Sequence, residues 1–416
     1  MVALWVVTRL LVLWLLVGPH AWVTGDVAYF ESSLAALSEQ GLVGTLVEYP
    51  LPGVAFVALP WLVTEWVGRP ELYAAVVAVF ALATDAAFAW LLHRFSGTRG
   101  RTRPLLVWLL AVPLLGATTY ARFDIVPGVL VGVAVLLLAS HPRLAAAAGA
   151  VATAVKFWPA LLLPALAARR DSRAGVLATV AAIGVPLAAI SFVLAGWARL
   201  VSPLTWQQGR GLHTESVLGT PAMIAWALDP AEHQVHFSPS NAFEIDGPGV
   251  PALLVASTAL TILGALALVV LWVRAWRNGT TLTRDAVVWT GLAAVTVFIV
   301  TSKVLSPQYL LWLIPAAAAA IALAESDRGL RRLTAWAVVL LFATALTQVV
   351  FPIGYDGIVA HKDWSLWVVL VLAARNALLV WLLVRAVTEA WWHAQRGSEL
   401  ERQPPDPDRK VARTLR

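Results

Sequence analysis

The chain has 416 residues, 60% hydrophobic and only 13% charged, with a mean hydropathy of +0.77. Soluble domains carry about 25% charged residues, so the composition excludes an ordinary soluble fold. Cysteine is absent, which excludes disulfides and thiolate metal centres, and the net charge of +6 is spread over loops between apolar runs, as membrane topology and not nucleic-acid binding requires.

Apolar runs recur at roughly 3–19, 51–67, 71–92, 104–119, 125–140, 143–156, 158–168, 174–195, 251–274, 286–302, 308–324, 333–351 and 364–386. Lipid tolerates only helices or closed barrels, and these runs lack the alternation of barrel strands. The fold class is therefore an all-α polytopic membrane protein. The first run, MVALWVVTRLLVLWLLVGP, lacks a charged start and a small-residue cleavage site, so it reads as a retained helix. Residues 20–53 form the first polar stretch. It opens on Gly25-Asp26, continues as a short amphipathic segment from Val27 to Gln40, and closes on Glu48-Tyr49-Pro50-Leu51-Pro52.

The basic loops at 93–103, 169–173, 274–284 and 327–332, and the tail from Arg385, decide the topology. All of them face the cytoplasm if 51–67 re-enters or lies at the outer surface. That gives about twelve spans with both termini inside and outer juxtamembrane helices. Thirteen spans with an outer N-terminus also place the basic loops inside. The runs between 104 and 168 are short and broken by Pro104, Pro113, Pro127, Pro159 and Pro164. Broken helices survive in a membrane where protein surrounds them, so an outward-facing cavity is expected there. Residues 1–390 read as one membrane domain, with outer loops 20–70 and 196–250 capping its site. Residues 391–416, charged and proline-rich, read as a disordered cytoplasmic tail.

This topology gathers uncommon polar residues on the outer side. They are Asp26 and Glu48 in the first loop, Arg122 and Asp124 in TTYARFD, and Lys156 in AVKFWP. Arg210, His213 and Glu215 follow in the long loop, and Lys303, Gln308 and Tyr309 in TSKVLSPQY. Ionisable groups at membrane depth are costly and are functional candidates by default. Blander readings stand beside this one. Arg122 and Asp124 can pair within their own turn, the lysines can snorkel from helix ends, and the loop histidines can be solvated. His233 and His236 lack an evident third ligand, so no metal site is expected. Arg9 and Asp85, towards the inner third of their helices, read as a structural pair.

A carboxylate facing several cations suits transfer from an anionic donor. The cations hold a phosphate, the carboxylate takes a proton from the attacking hydroxyl, and the charge developing on the leaving phosphate is stabilised. The alternative is a transporter or lipid flippase for an anionic or glycolipid substrate, although no internal repeat is evident.

Six stretches sharpen the choice: GDVAYF, EYPLPG, ARFDIVPGVLVGVAVLLLA, ATAVKFWPALLLPAL, GRGLHTES and SKVLSPQYLLWLIP, in that order over roughly residues 20–320. Together they resemble glycosyltransferase family 87, polyprenol-phosphate-mannose-dependent mannosyltransferases of actinobacteria with a GT-C architecture. The family usually shows Tyr-Pro-Pro where this chain has Tyr49-Pro50-Leu51-Pro52. The resemblance implies that Asp26 is the base that deprotonates an acceptor hydroxyl, and that polyprenyl phosphate is expelled with inversion. It makes Arg122, Lys156 and Lys303 candidates for the lipid phosphate. Glu48, Tyr49, Asp124, Arg210, Glu215, Gln308 and Tyr309 become candidates for sugar or acceptor contacts. It implies no cofactor and no metal. The implied partners are a polyprenyl-phosphate sugar, a glycolipid or glycan acceptor of the cell envelope, and membrane lipids, with no nucleic acid. The implied place is the bacterial plasma membrane, with the site on its outer face.

Overall fold

The apolar runs fold as helices, and the helices sort by what surrounds them. A computed structural model describes residues 1–99, 102–279 and 283–402. The first half contains α1 (Val2–Val17), α2 (Gly25–Ala35), α3 (Leu37–Gly44), α4 (Leu51–Val67), α5 (Tyr73–Arg99), α6 (Arg103–Leu115), α7 (Ile125–Leu137), α8 (Pro142–Val155) and the single turn α9 (Leu163–Leu166). Then come α10 (Arg173–Thr205), α11 (Thr220–Leu228), strands β1 (Gln234–Ser238) and β2 (Ala242–Asp246), and α12 (Val250–Arg277). The chain closes with α13 (Arg284–Thr301), α14 (Leu310–Leu323), α15 (Asp327–Gln348), the short α16 (Asp356–Val359) and α17 (Ser365–Arg402).

Among the described residues six helices are long and apolar enough to cross a membrane, or seven if α1 and the 81° bend into 21–35 count as one broken span. Five further apolar helices have 10–17 residues, and they account for much of the gap to the expected twelve. Every residue of α14 is buried, with α6, α7, α13 and α15 packed around it. Protein, not lipid, shields the ends of α14. In α10 and α12, by contrast, only 11% of the apolar window is buried, so their leucines and valines are left for lipid. The run 158–168 departs most from a span. Pro159 and Pro164 leave a 3-10 segment, Trp158–Leu162, and then one α turn.

Two glycines set how closely the helices approach. A Cβ on Gly128 of α7 would lie 2.2 Å from the Leu311 carbonyl of α14. A Cβ on Gly53 of α4 would lie 2.2 Å from the Val155 carbonyl that ends α8. Deeper in the bundle, Arg9 Nη2 and Nε reach Asp85 Oδ1 and Oδ2 at 2.7 and 2.8 Å. Trp108 Nε1 and the Tyr120 hydroxyl also donate to that carboxylate, at 2.6 and 2.7 Å. A buried ion pair is tolerable when its hydrogen bonds are this complete.

The basic loops meet at one end, where Arg170 and Arg173 donate to the carbonyls of Arg277 and Trp276 and Arg332 pairs with Glu389. α10 runs from there to Arg199, which binds the 42–49 segment at the other end.

The 196–250 loop departs from an all-helical reading. α10 continues past a break at Gly196 (φ 76°), and β1 and β2 form an antiparallel hairpin with Asn241 at φ 54° in its turn. The hairpin is stitched to the preceding loop by Ile245 N to Leu212 O (2.9 Å) and Thr214 N to Phe243 O (3.1 Å). The tail expectation is also corrected. α17 runs to Arg402, so 391–402 are helical and not disordered, because the helix continues beyond the apolar run through Glu389 and Trp391. Residues 403–416 lie outside the described residues.

Candidate active site

At the end away from the basic loops, a cavity of about 440 Å³ opens between α2, the turns at 45–50 and 120–124, the residue after α8, the hairpin tip and the 306–309 and 351–355 segments. Asp26 reaches it from the first turn of α2, which the bend after α1 turns across the bundle. An acid here also suits the positive end of a helix. Its side chain is 30% exposed, and Arg122 Nε lies 3.0 Å from Oδ2 as an ion pair without hydrogen-bond alignment. Arg122 is itself fixed by Nη1 bonds to the Val23 carbonyl (2.7 Å) and the Ala121 carbonyl (3.1 Å), beside the Phe351 ring. Among the described residues no protein donor bonds the other oxygen, Oδ1, of Asp26.

Arg122 and Asp124 do not pair in their own turn. Lys156 Nζ binds both oxygens of Asp124, at 2.8 and 3.0 Å, and Trp312 Nε1 adds a third bond at 2.6 Å. Asp124 is 1% exposed and off the cavity wall. Its expected substrate role is therefore corrected to that of an anchor, because Lys156 and Trp312 already make three hydrogen bonds to its buried carboxylate. Lys156 does line the cavity, above the rings of Tyr49 (5.3 Å) and Trp312 (5.7 Å). Trp312 is sandwiched by Tyr309 at 3.9 Å and Trp158 at 4.9 Å, so the KFW and PQYLLW motifs meet in one stack.

Lys303 is also corrected. It is not on the cavity wall. Its Nζ donates to the Gln208 carbonyl at 3.1 Å, and its own carbonyl accepts from His213 N. It ties down the long loop, and burial lowers its pKa. Arg210 is placed differently. It lines the cavity with Gln308 and Tyr309, and its buried Nε has no acceptor among the described residues.

Glu48 and Tyr49 sit on the opposite side of α2. Burial raises the Glu48 pKa against the opposing pulls of its own backbone N–H, Tyr29, Lys156 and Arg199. Glu48 Oε2 is buried without a partner among the described residues. The Arg199 guanidinium holds this turn in place, donating to the carbonyls of Leu42, Thr45, Leu46 and Tyr49 and to Ser202 Oγ. Glu215 lines the cavity from the long loop. Arg375 Nη1 binds its Oε2 at 3.1 Å and Nη2 its carbonyl at 2.7 Å, while Oε1 has no partner among the described residues. Burial pushes the Glu215 carboxyl up to about 7, against the pull of Arg375. His213, expected to be solvated, is buried. Its Nδ1 accepts the Glu215 N–H, and burial, then Arg210 and Arg375, lower its pKa to about 3.

Sequence reasoning overlooked Arg375 and Arg199. Arg375 carried a legible signal, since a lone arginine inside an apolar run demands a buried partner. Among the described residues no group of three or more His, Asp or Glu side chains is placed to hold a metal ion.

Comparison with known proteins gives one match. The model of glycosyltransferase family 87 matches residues 46–298. No curated protein and no solved structure matches the chain. The matched region contains Glu48, Tyr49, Arg122, Asp124, Lys156, Arg210 and Glu215, while Asp26, Lys303, Gln308 and Tyr309 lie outside it. The match covers more than half of a chain built from membrane-length helices, and the chain belongs to glycosyltransferase family 87, the family of a membrane glycosyltransferase.

Proposed function

We propose that the protein transfers mannose, or a related sugar, from a polyprenyl-phosphate donor to a hydroxyl of a cell-envelope glycolipid or glycan, with inversion and on the outer face of a bacterial plasma membrane. The observation that carries this reading is the Asp26–Arg122 pair. One carboxylate oxygen is held by a guanidinium and the other is free, in a cavity that also presents Lys156 and Arg210.

The acceptor hydroxyl gives its proton to Asp26 Oδ1 as its oxygen bonds the anomeric carbon. The bond from that carbon to the phosphate oxygen breaks, and its electron pair leaves with polyprenyl phosphate. Arg122, Lys156 and Arg210 meet the charge that grows on the leaving phosphate, which favours the transition state over the bound donor. Glu48, Glu215, Gln308 and Tyr309 supply polar contacts for sugar hydroxyls. The basic loops at the opposite end support an outer-face placement.

The test is Asp26→Asn in reconstituted membranes, with polyprenyl-phosphate mannose and crude envelope lipid. The amide keeps the size but cannot take the proton, so turnover should fall about 10²–10⁴-fold with donor binding retained. Turnover near that of the wild type removes Asp26 from the mechanism. A wild-type protein that moves the lipid across a bilayer yet transfers no sugar supports transport instead.

A further inference from the structure

Five aromatic rings form a continuous band along one wall of the cavity. Trp22 meets Phe351 at 5.2 Å and Tyr355 at 5.9 Å between ring centroids, and Phe351 meets Tyr355 at 4.8 Å. Tyr355 meets Phe243 at 5.8 Å, and Phe243 meets Phe237 at 5.1 Å. The rings come from three distant parts of the chain, the segment before α2, the hairpin and the turn after α15, yet all five line one cavity.

Burial does not explain the ends of the band. Phe237 is 59% exposed and Trp22 is 50% exposed. One open end lies on the hairpin, whose tip adds the neutral polar side chains of Ser240 and Asn241 to the cavity wall. The other reaches the reacting centre. Trp22 stands one helical turn ahead of Asp26, and Phe351 lies 5.9 Å from the Arg122 guanidinium. Lys156 keeps to a separate aromatic group, Tyr49 and Trp312.

This division matches two chemistries. A phosphate needs the cations. A pyranose ring has an apolar C–H face and a rim of hydroxyls, which fits flat aromatic faces edged by neutral amide and hydroxyl groups. We infer that the Trp22–Phe351–Tyr355–Phe243–Phe237 band is the platform for a glycan acceptor. It stacks the acceptor's pyranose rings from the hairpin inward and presents a hydroxyl to Asp26. The inference rests on the transfer reading for the word acceptor, but binding of a neutral pyranoside does not depend on that reading.

The experiment uses the full-length protein in nanodiscs. Binding of methyl α-mannobioside without donor is titrated by saturation-transfer NMR, and transfer from polyprenyl-phosphate mannose is measured separately. Loss of one stacked ring should weaken binding about five- to tenfold in Phe237→Ala and in Trp22→Ala, with Phe237→Trp restoring it. The acceptor KM should rise by the same factor while the donor KM stays put. Three results overturn the inference. Both alanine variants bind as wild type does, or the donor KM moves as far as the acceptor KM, which assigns the band to the donor sugar. In the third, the variants lose only thermal stability in the bilayer, which makes the rings interfacial anchors. Phe237-dependent binding in a protein that transfers no mannose supports the platform and overturns the donor class alone.

Discussion

Glu215→Gln isolates one buried titration and gives it a sign. Glu215 is fully buried, paired with Arg375 through Oε2 and unpartnered at Oε1. Its carboxyl titrates near 7 in the fold against an ordinary 4.5, because burial disfavours the charge. A raised carboxyl stabilises the fold fully below its unfolded value and loses that contribution as pH rises through the folded value. Between pH 4.5 and 7 the unfolded chain ionises first, and the fold loses on the order of 3 kcal/mol from this group. Glutamine keeps the shape and cannot ionise. His213 works in the opposite sense. It titrates near 3 in the fold, so its contribution is lost as pH falls below 6.5. It remains in both proteins, so the difference between them cancels it. Thermal melts of both proteins in one detergent, from pH 4.5 to 8, should show the variant gaining on the wild type up to about pH 7 and the gap then levelling. Parallel curves, or a wild type that gains on the variant as pH rises, refute the account of Glu215.

Lys156→Met should destabilise the fold by about 3–5 kcal/mol in thermal melts, because it strands the buried Asp124 carboxylate on Trp312 alone. Lys156→Met with Asp124→Asn should recover most of that stability but no transfer activity. Arg199→Lys should loosen residues 42–49 to limited proteolysis and cost about 2–4 kcal/mol, since an ammonium cannot serve five acceptors spread around a planar fork. Gly53→Ala should cost about 1–3 kcal/mol and slow transfer, because its Cβ meets the Val155 carbonyl next to Lys156. Gly184→Ala on α10, where nothing lies within 4 Å, should leave both unchanged or slightly raise stability.

Hydropathy located the helices well, because a run of apolar residues in lipid has one structural solution. It did not say which of them are enclosed. α14 is as apolar as a lipid-facing helix, yet every residue is buried, and only the packing of its neighbours decides that. The polar cluster was legible for a similar reason, since charges at membrane depth are rare. Their partners were not. Arg122 and Asp124 are two residues apart, but the chain places Arg122 on Asp26 and Asp124 on Lys156, pairings set by helix ends that converge in space. Lys303 sits in the right motif, but its ammonium is bonded to the Gln208 carbonyl and it does not line the cavity. The hairpin had a readable signature, VHF and FEI flanking SPSN, within a loop otherwise rich in helix-forming residues. The five-ring band had none, because its members come from positions 22, 237–243 and 351–355.

The pairings also bear on what the cavity can bind. Several enclosed or partly enclosed acids hold a cation: Asp85 has Arg9, Asp124 has Lys156, Glu215 has Arg375 and Asp26 has Arg122. An isolated charge in a low-dielectric interior is costly, so one-to-one pairing is how these charges persist there. Glu48 has no ion-pair partner, and burial favours its neutral form. Among the cavity-lining cations this leaves Arg210 uncommitted, and Lys156 and Arg122 half-committed to carboxylates at its walls. With Glu48 neutral and Glu215 ionised on Arg375, the cavity presents about one positive charge beyond neutrality. A sugar–phosphate–polyprenyl diester carries one negative charge, so it balances that excess, and a neutral pyranose leaves it unmatched. The second negative charge appears only as the phosphate leaves. It can then draw on Lys156 and Arg122, while proton transfer to Asp26 Oδ1 removes the negative charge that competes for Arg122. In the proposed transfer, proton uptake and phosphate departure would be coupled through one guanidinium, which is a physical reason for the proposed base and phosphate site to share Arg122.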